Sequence, residues 1–242
     1  MSQSEALSVL DSVPSSSRRL VMIGVLASQK TVFLGGANKW PNRYPNLGDI
    51  AGIFPVHSLA LNLVHYNTKE PETLLEQMLV VTRWGGPNFE GFQLNVAWPR
   101  PRILEKYRRR HGNMYIVLQI GGGAFKKIGD SPLRLAKKVI GEYKGLVDYV
   151  LLDPSGGYGK PFDSERIREY LVALREEGAE RFIGLGVAGG LSPTTLNLVE
   201  PLVKDFPEVS IDAEGRLRDG NDKLDVSVAK KYVSKALEIF AS

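Results

Sequence analysis

The chain has 242 residues, 43% of them hydrophobic and 24% charged, with 25 Gly, 14 Pro and no Cys. That composition excludes a disordered or fibrous protein, and the missing cysteine excludes disulfides, thiolate metal sites and thiol nucleophiles. A net charge of +4, from 31 Lys and Arg against 27 Asp and Glu, suits a small anionic ligand and is too weak to argue for nucleic acid.

Residues 1–17 are polar and Ser-rich, with Glu5 and Asp11, and lack the basic region and apolar stretch of a signal peptide. They read as an N-terminal extension carrying a short helix over residues 4–10, followed by one domain over 18–242. No apolar run approaches the 18 residues of a membrane helix, so the expectation is a cytoplasmic protein without a membrane partner.

Apolar, β-branched runs follow at 20–26, 59–65, 92–96, 115–120, 147–153, 182–187 and 209–212. Most are apolar throughout instead of alternating, the mark of strands buried on both faces of a parallel sheet. Helical spacing fills the intervals at 46–54, 71–84, 100–110, 131–146, 164–178 and 192–206, and again at 225–240 after the last strand. Ser131-Pro132 and Ser192-Pro193 each place a capping hydroxyl before a proline at the first helical position, and Gly112 and Gly178 read as stops.

Repeated βα units over this length, with no linker, predict a single (β/α)8 barrel. Seven strands are plain, and residues 31–34 are the expected eighth. If they belong to a loop instead, the barrel is irregular beside its first two strands and residues 35–45 form an extended active-site loop.

In such a barrel the site lies at the C-terminal ends of the strands. Polar residues there are Lys30, His65, Asn67, Asn95, Gln119, Asp153, Asp212 and Glu214. Such residues also commonly just cap the next helix or bond a loop carbonyl. Three glycine clusters occupy similar positions: 121–123, Gly156-Gly157 with Gly159, and Gly186 with Gly189-Gly190. Glycine lets successive N–H groups turn toward a phosphate, although it serves equally well in plain turns.

Leu151-Leu152-Asp153, then Gly156-Gly157-Tyr158-Gly159-Lys160 and Phe162-Asp163, then Ala188-Gly189-Gly190-Leu191-Ser192-Pro193, resemble the closing third of phosphoribosylanthranilate isomerases. The resemblance spans residues 147–215. It implies a barrel with a ribulose-phosphate-type phosphate site, Asp153 as general acid, Gly189 and Gly190 as backbone phosphate donors, and Glu214-Gly215 beside the second phosphate loop; Gly157 and Gly159 join the candidate phosphate ligands. The family's reaction protonates a ribose ring oxygen and removes a proton from the neighbouring carbon, so it needs an acid and a base on opposite sides of the sugar.

Two departures accompany the resemblance. The family's base is a cysteine at the end of strand one, where this chain has apolar residues or glycine around Ile23-Gly24. Asp212 also stands three residues before Gly215, where the family pattern has four. The candidate bases are therefore His65, Lys30, Asp212 and Glu214, with His65 first because imidazole titrates nearest neutrality. A histidine beside Tyr66 at a strand end can equally brace a loop.

Residues 38–45 mix aromatics, cations and prolines and read as a lid or a subunit contact, with Arg43 as a carboxylate clamp. Lys30, Arg43, Asn95 and Gln119 are the candidate substrate-binding residues, and Lys126 and Lys127 face the same end. The basic run Arg100, Arg102, Lys106, Arg108, Arg109, Arg110 reads as a solvated helix face with Ile103, Leu104 and Tyr107 turned inward. The three scattered histidines offer no metal-ligand spacing, and no cofactor motif appears. The expected function is that of an isomerase-like enzyme on a phosphoribosyl-linked small molecule, with a phosphosugar lyase or hydrolase, or a non-catalytic phosphate-ligand scaffold, as alternatives. The expected partners are a phosphorylated small molecule and a second copy of the chain.

Overall fold

The computed structural model describes residues 1–35, 40–155 and 162–241. Helix α1 (Gln3–Leu10) is followed by β1 (Val21–Ser28), α2 (Gln29–Phe33), β2 (Ala60–Asn67), α3 (Leu74–Trp84), β3 (Gly91–Asn95), α4 (Pro101–Arg108) and β4 (Tyr115–Gly121). Then come α5 (Gly122–Lys127), α6 (Pro132–Lys138), β5 (Tyr149–Asp153), α7 (Ser164–Glu176), β6 (Gly184–Ala188), α8 (Glu200–Asp205), β7 (Ser210–Asp212) and α9 (Val226–Ala241).

All seven apolar runs are strands, joined in sequence order and parallel at every step. The expected eighth strand is absent among the described residues. Residues 31–34 lie in or at the end of α2, because Ser28 and Thr31 form a reciprocal capping box: the Ser28 side chain accepts from the Thr31 N–H and the Thr31 hydroxyl accepts from the Ser28 N–H. Nor does irregularity fall between the first two strands, since β1 pairs with β2 through eight residues. It falls between β7 and β1, which do not pair among the described residues. The sheet is curled and seven-stranded, open along that one seam, and not a closed eight-stranded barrel.

Local chemistry places the helices as the sequence pattern implies. α3 buries Leu74, Met78 and Val81, and α7 buries Ile167, Tyr170, Leu171 and Leu174, each set one helical face. Ser131 caps α6 and Asp163 caps α7, while Gly178 turns left-handed (φ 75°) just past the end of α7. Ser192-Pro193 behaves otherwise. The Thr195 hydroxyl accepts from the Ser192 N–H, and only one 3-10 turn (Leu196–Leu198) leads into α8. Gly112 stands four residues beyond the end of α4. α1 packs on α9 and contributes Ala6, Val9 and Leu10 to the core.

The basic run on α4 is not wholly a solvated face. Leu104 and Tyr107 are buried as expected, but the Arg108 guanidinium turns back under the sheet. It pairs with Asp148 and donates to the carbonyls of Leu146, Met114 and Gly112, while Asp148 also accepts from the Ile116 N–H. One cation thus ties together the turns that launch β4 and β5. Arg108→Met keeps the apolar stem and strands both the carboxylate and the carbonyls, so it should cost about 3 kcal/mol in urea unfolding. A loss below about 1 kcal/mol would show the cluster to be dispensable.

Candidate active site

Inside the curl, side chains alternate along each strand, and those pointing inward change character with height. Leu63 on β2, Val117 on β4, Leu151 on β5 and Ala188 on β6 form a small apolar cluster, with Met22, Leu61 and Tyr149 packed against it. One inward position further toward the C-terminal ends the residues are polar: His65 on β2, Gln93 on β3, Gln119 on β4, Asp153 on β5 and Asp212 on β7. The sheet therefore has a dry floor and a polar mouth.

Four of the five mouth residues are joined by hydrogen bonds, in a chain extended at one end by Ser155. The Ser155 hydroxyl donates to Asp153 Oδ1 at 2.6 Å, and Gln119 Nε2 donates to Asp153 Oδ2 at 2.9 Å. Gln93 Nε2 then donates to Gln119 Oε1 at 3.1 Å and to Asp212 Oδ2 at 3.4 Å. Each amide nitrogen must face a carboxylate, which fixes the orientation of both glutamines. Gln93, Gln119, Asp153 and Ser155 are all buried.

Asp212 lines a cavity of about 480 Å³ together with His65 and Gln93. Burial raises its carboxyl above the ordinary carboxylate range; His65 and the Gln93 bond oppose the shift, and Asp153 and Glu214 add to it. Its Oδ1 takes no hydrogen bond among the described residues. Asp153, by contrast, has a donor on each oxygen.

The β6 loop closes over Asp153. Gly189 (φ 121°) and Gly190 (φ 64°) have backbone conformations suited to glycine, and a Cβ on Gly189 would stand 3.2 Å from Ser155 Cβ and 3.5 Å from Asp153 Oδ1. Asn95 is half-buried at the end of β3, its Oδ1 beside Gly121. Gly157 and Gly159 lie outside the described residues.

Several candidates are already engaged or lie apart. Arg43 is a carboxylate clamp, but for the protein's own acids: it pairs with Asp222 at 2.6 Å and Glu214 at 3.3 Å. Its bond holds the Asp222 carboxyl below the ordinary range. Glu214 also accepts from Arg218 at 2.8 Å, so this carboxylate serves an ion cluster with Gly215 beside it and brings no donor to a phosphate. That cluster ties residues 42–43 to the loop after β7, where Asn42 also donates to the Asn221 carbonyl. Lys30 is exposed on α2, and Lys126 and Lys127 are exposed on α5.

Gln93, Ser155 and Tyr232 escaped the sequence reading. Gln93 carried a usable signal, a polar side chain between Phe92 and Leu94 in the interior of a strand. Tyr232 carried none, because it falls on the same face of α9 as the buried Ala229 and Ala236.

No group of three or more acidic or histidine side chains among the described residues could hold a metal, and no described helix is long and apolar enough to cross a membrane. Fold and site together define an α/β protein of the TIM-barrel type with a polar C-terminal mouth. No family model and no curated protein matches the chain. Among solved structures it is similar to the catalytic domain of a hyperthermophilic chitinase from Pyrococcus furiosus, at 12% identity and TM-score 0.54 over 90% of this chain and 86% of that one. Catalytic-site mutants of active domain 2 of a thermostable chitinase from Pyrococcus furiosus, complexed with chito-oligosaccharides, match at 13% identity and TM-score 0.54, over 97% and 91%. The carboxyl transferase domain of Rhizobium etli pyruvate carboxylase aligns at 10% identity and TM-score 0.42, over 93% and 48%. At these identities the likeness shows the fold alone.

Proposed function

We propose that the mouth is the active site of an acid–base enzyme, isomerase-like, acting on a phosphorylated, ribose-linked small molecule. The observation that carries this reading is the hydrogen-bonded chain Ser155–Asp153–Gln119–Gln93–Asp212, which sets two carboxylates from different strands at one mouth in unlike surroundings. Unlike surroundings are how a pair of carboxylates divides acid from base. The resemblance to phosphoribosylanthranilate isomerases names Asp153 as acid, but the geometry favours the reverse. Asp153, with a donor on each oxygen, is the acceptor that removes a proton from the sugar carbon. Asp212, raised by burial, carries the proton delivered to the ring oxygen as its C–O bond breaks. His65 beside Asp212 is the group through which that proton is replenished. Gly189 and Gly190 present backbone to the phosphate from above Asp153.

A ligand that binds only the folded state raises its melting temperature. Inorganic phosphate, ribose 5-phosphate and a reduced phosphoribosylanthranilate analogue should give increasing shifts in that order. At a hundredfold excess over Kd the analogue should add roughly 5–10 °C for a chain of this size. No shift with any phosphate compound would overturn the phosphate reading.

A further inference from the structure

The modest net charge of the chain hides a segregation. Residues 100–144 hold 12 of the 31 Lys and Arg but only 3 of the 27 Asp and Glu, a net +9, so the rest of the chain carries a net −5. That stretch runs from the start of α4 to just ahead of β5 and supplies the helices on either side of β4. β4 is the middle strand of the seven, across the curl from the seam between β7 and β1. The helical segments flanking it are tied to each other: the Tyr143 hydroxyl donates to the Pro99 carbonyl just ahead of α4 at 2.8 Å, and Arg108 at the end of α4 donates to the Leu146 carbonyl. One side of the molecule is therefore a joined basic surface.

A few of its cations serve the fold: Arg100, Arg108 and Lys138 pair with Glu72, Asp148 and Glu142. The others do not. Arg102, Lys106 and Arg109 are exposed and form no ion pair among the described residues, nor do Arg134 and Lys137 on α6. At about 100° per residue the first three fall within about 60° of one another, on the side of α4 away from the buried Leu104 and Tyr107. Like charges one turn apart oppose the helix that carries them, and no acid of the chain offsets these. On α6, Leu133 stands one turn from Lys137 and is 51% exposed, a large apolar side chain set among cations.

We propose that this side is a docking surface for an anionic bilayer, held by attraction to the headgroups with Leu133 seated among them. This goes beyond the mouth reading and does not rest on it. The lack of a spanning helix bears on crossing a bilayer, not on lying against one. A nucleic-acid partner fits less well. The face is a layer of short helices packed on the outside of a curled sheet, with no element projecting to enter a groove. The aromatic residues of α4 and α5, Tyr107 and Phe125, are buried, so bases find no stacking platform there. A bilayer needs only charge and a broad approach, and it accepts an apolar side chain. Because the face is the side of the curl and not its end, the mouth stays clear when it is occupied.

The test is co-sedimentation of the full chain with vesicles of phosphatidylcholine alone or with about one-third phosphatidylserine. Only the anionic vesicles should bind, and raising salt from about 0.1 to 1 M, which shortens the screening length from about 10 to 3 Å, should release the protein. Each Lys or Arg near an anionic leaflet favours binding about fivefold, so Arg102→Gln, Lys106→Gln and Arg109→Gln together should weaken it about a hundredfold. Removing three exposed charges from α8, α9 and the loop between β7 and α9, with Lys204→Gln, Lys231→Gln and Lys223→Gln, should leave it nearly unchanged. Leu133→Ser should weaken it about fivefold by taking away half-exposed apolar surface. The proposal is overturned if anionic vesicles bind no better than neutral ones, if the control set costs as much as the α4 set, or if Leu133→Ser binds as the wild type does. Tighter binding to duplex DNA than to the vesicles at matched salt, lost with the α4 set, would overturn it in favour of nucleic acid.

Discussion

Gly91→Ala should be among the most damaging single substitutions in the chain. Gly91 opens β3 with φ 152°, a conformation that L side chains rarely adopt, and it pairs in register with Tyr115 on β4. A Cβ there would stand 2.0 Å from the Tyr115 carbonyl oxygen and 2.6 Å from its nitrogen. Both obstacles are backbone atoms, and neither can swing aside. The Tyr115 N–H donates to the Glu90 carbonyl at 2.7 Å, and Glu90 is itself tied to Asn62 at the start of β2 by its N–H and its carboxylate. Relief therefore demands a shift of three strands at once. Overpacking and backbone strain together put the cost at no less than about 3 kcal/mol, a large share of the 5–15 kcal/mol that holds a typical domain together. Urea unfolding would measure it, with Gly141→Ala as the control because a Cβ on Gly141 meets nothing within 4 Å. Equal midpoints for the two variants would refute the argument.

The same glycine shows where the sequence stops being legible. The run 92–96 is visibly a strand, yet nothing in it announces that residue 91 must approach a neighbouring backbone, since that constraint comes from the partner strand. All seven strands were legible because burial on both faces writes itself as continuous apolar residues. The eighth was an expectation drawn from the usual architecture, and it placed residues 31–34 in the sheet although Ser28 and Thr31 already spelled a helix start. Asp153, Asp212, His65 and Gln119 were legible as polar ends of apolar runs. Their linkage was not, because it depends on Gln93 and on a curl that brings β3 opposite β7. Arg43 reads in the sequence as a carboxylate clamp for a substrate, whereas the carboxylates it holds in the structure, Glu214 and Asp222, are the protein's own and stand some 170 residues away in sequence. Contacts that distant leave no local pattern.

Asp212→Asn should move activity and stability in opposite directions. The amide cannot deliver a proton, so turnover should fall by about 10²–10⁴-fold if Asp212 is the acid. Asp153→Asn should lose comparably by removing the acceptor. In the folded protein burial raises the Asp212 carboxyl, so the folded state holds that proton more tightly than the unfolded chain does. This contribution to stability is fully present below the unfolded value of about 3.9 and is lost as pH rises through the folded one. An asparagine has no such loss, and it keeps an oxygen to accept from Gln93. Relative to the wild type, the variant should therefore gain stability as pH rises from about 4 through the raised folded value and hold that gain above it. Urea unfolding at a series of pH values measures the crossing, and parallel curves would mean that Asp212 is not the strained group. A variant that gains stability as pH rises but is inactive marks a residue kept for chemistry at the fold's expense. The same gain with no turnover in either protein would instead favour a scaffold that retains the ligand site without its reaction.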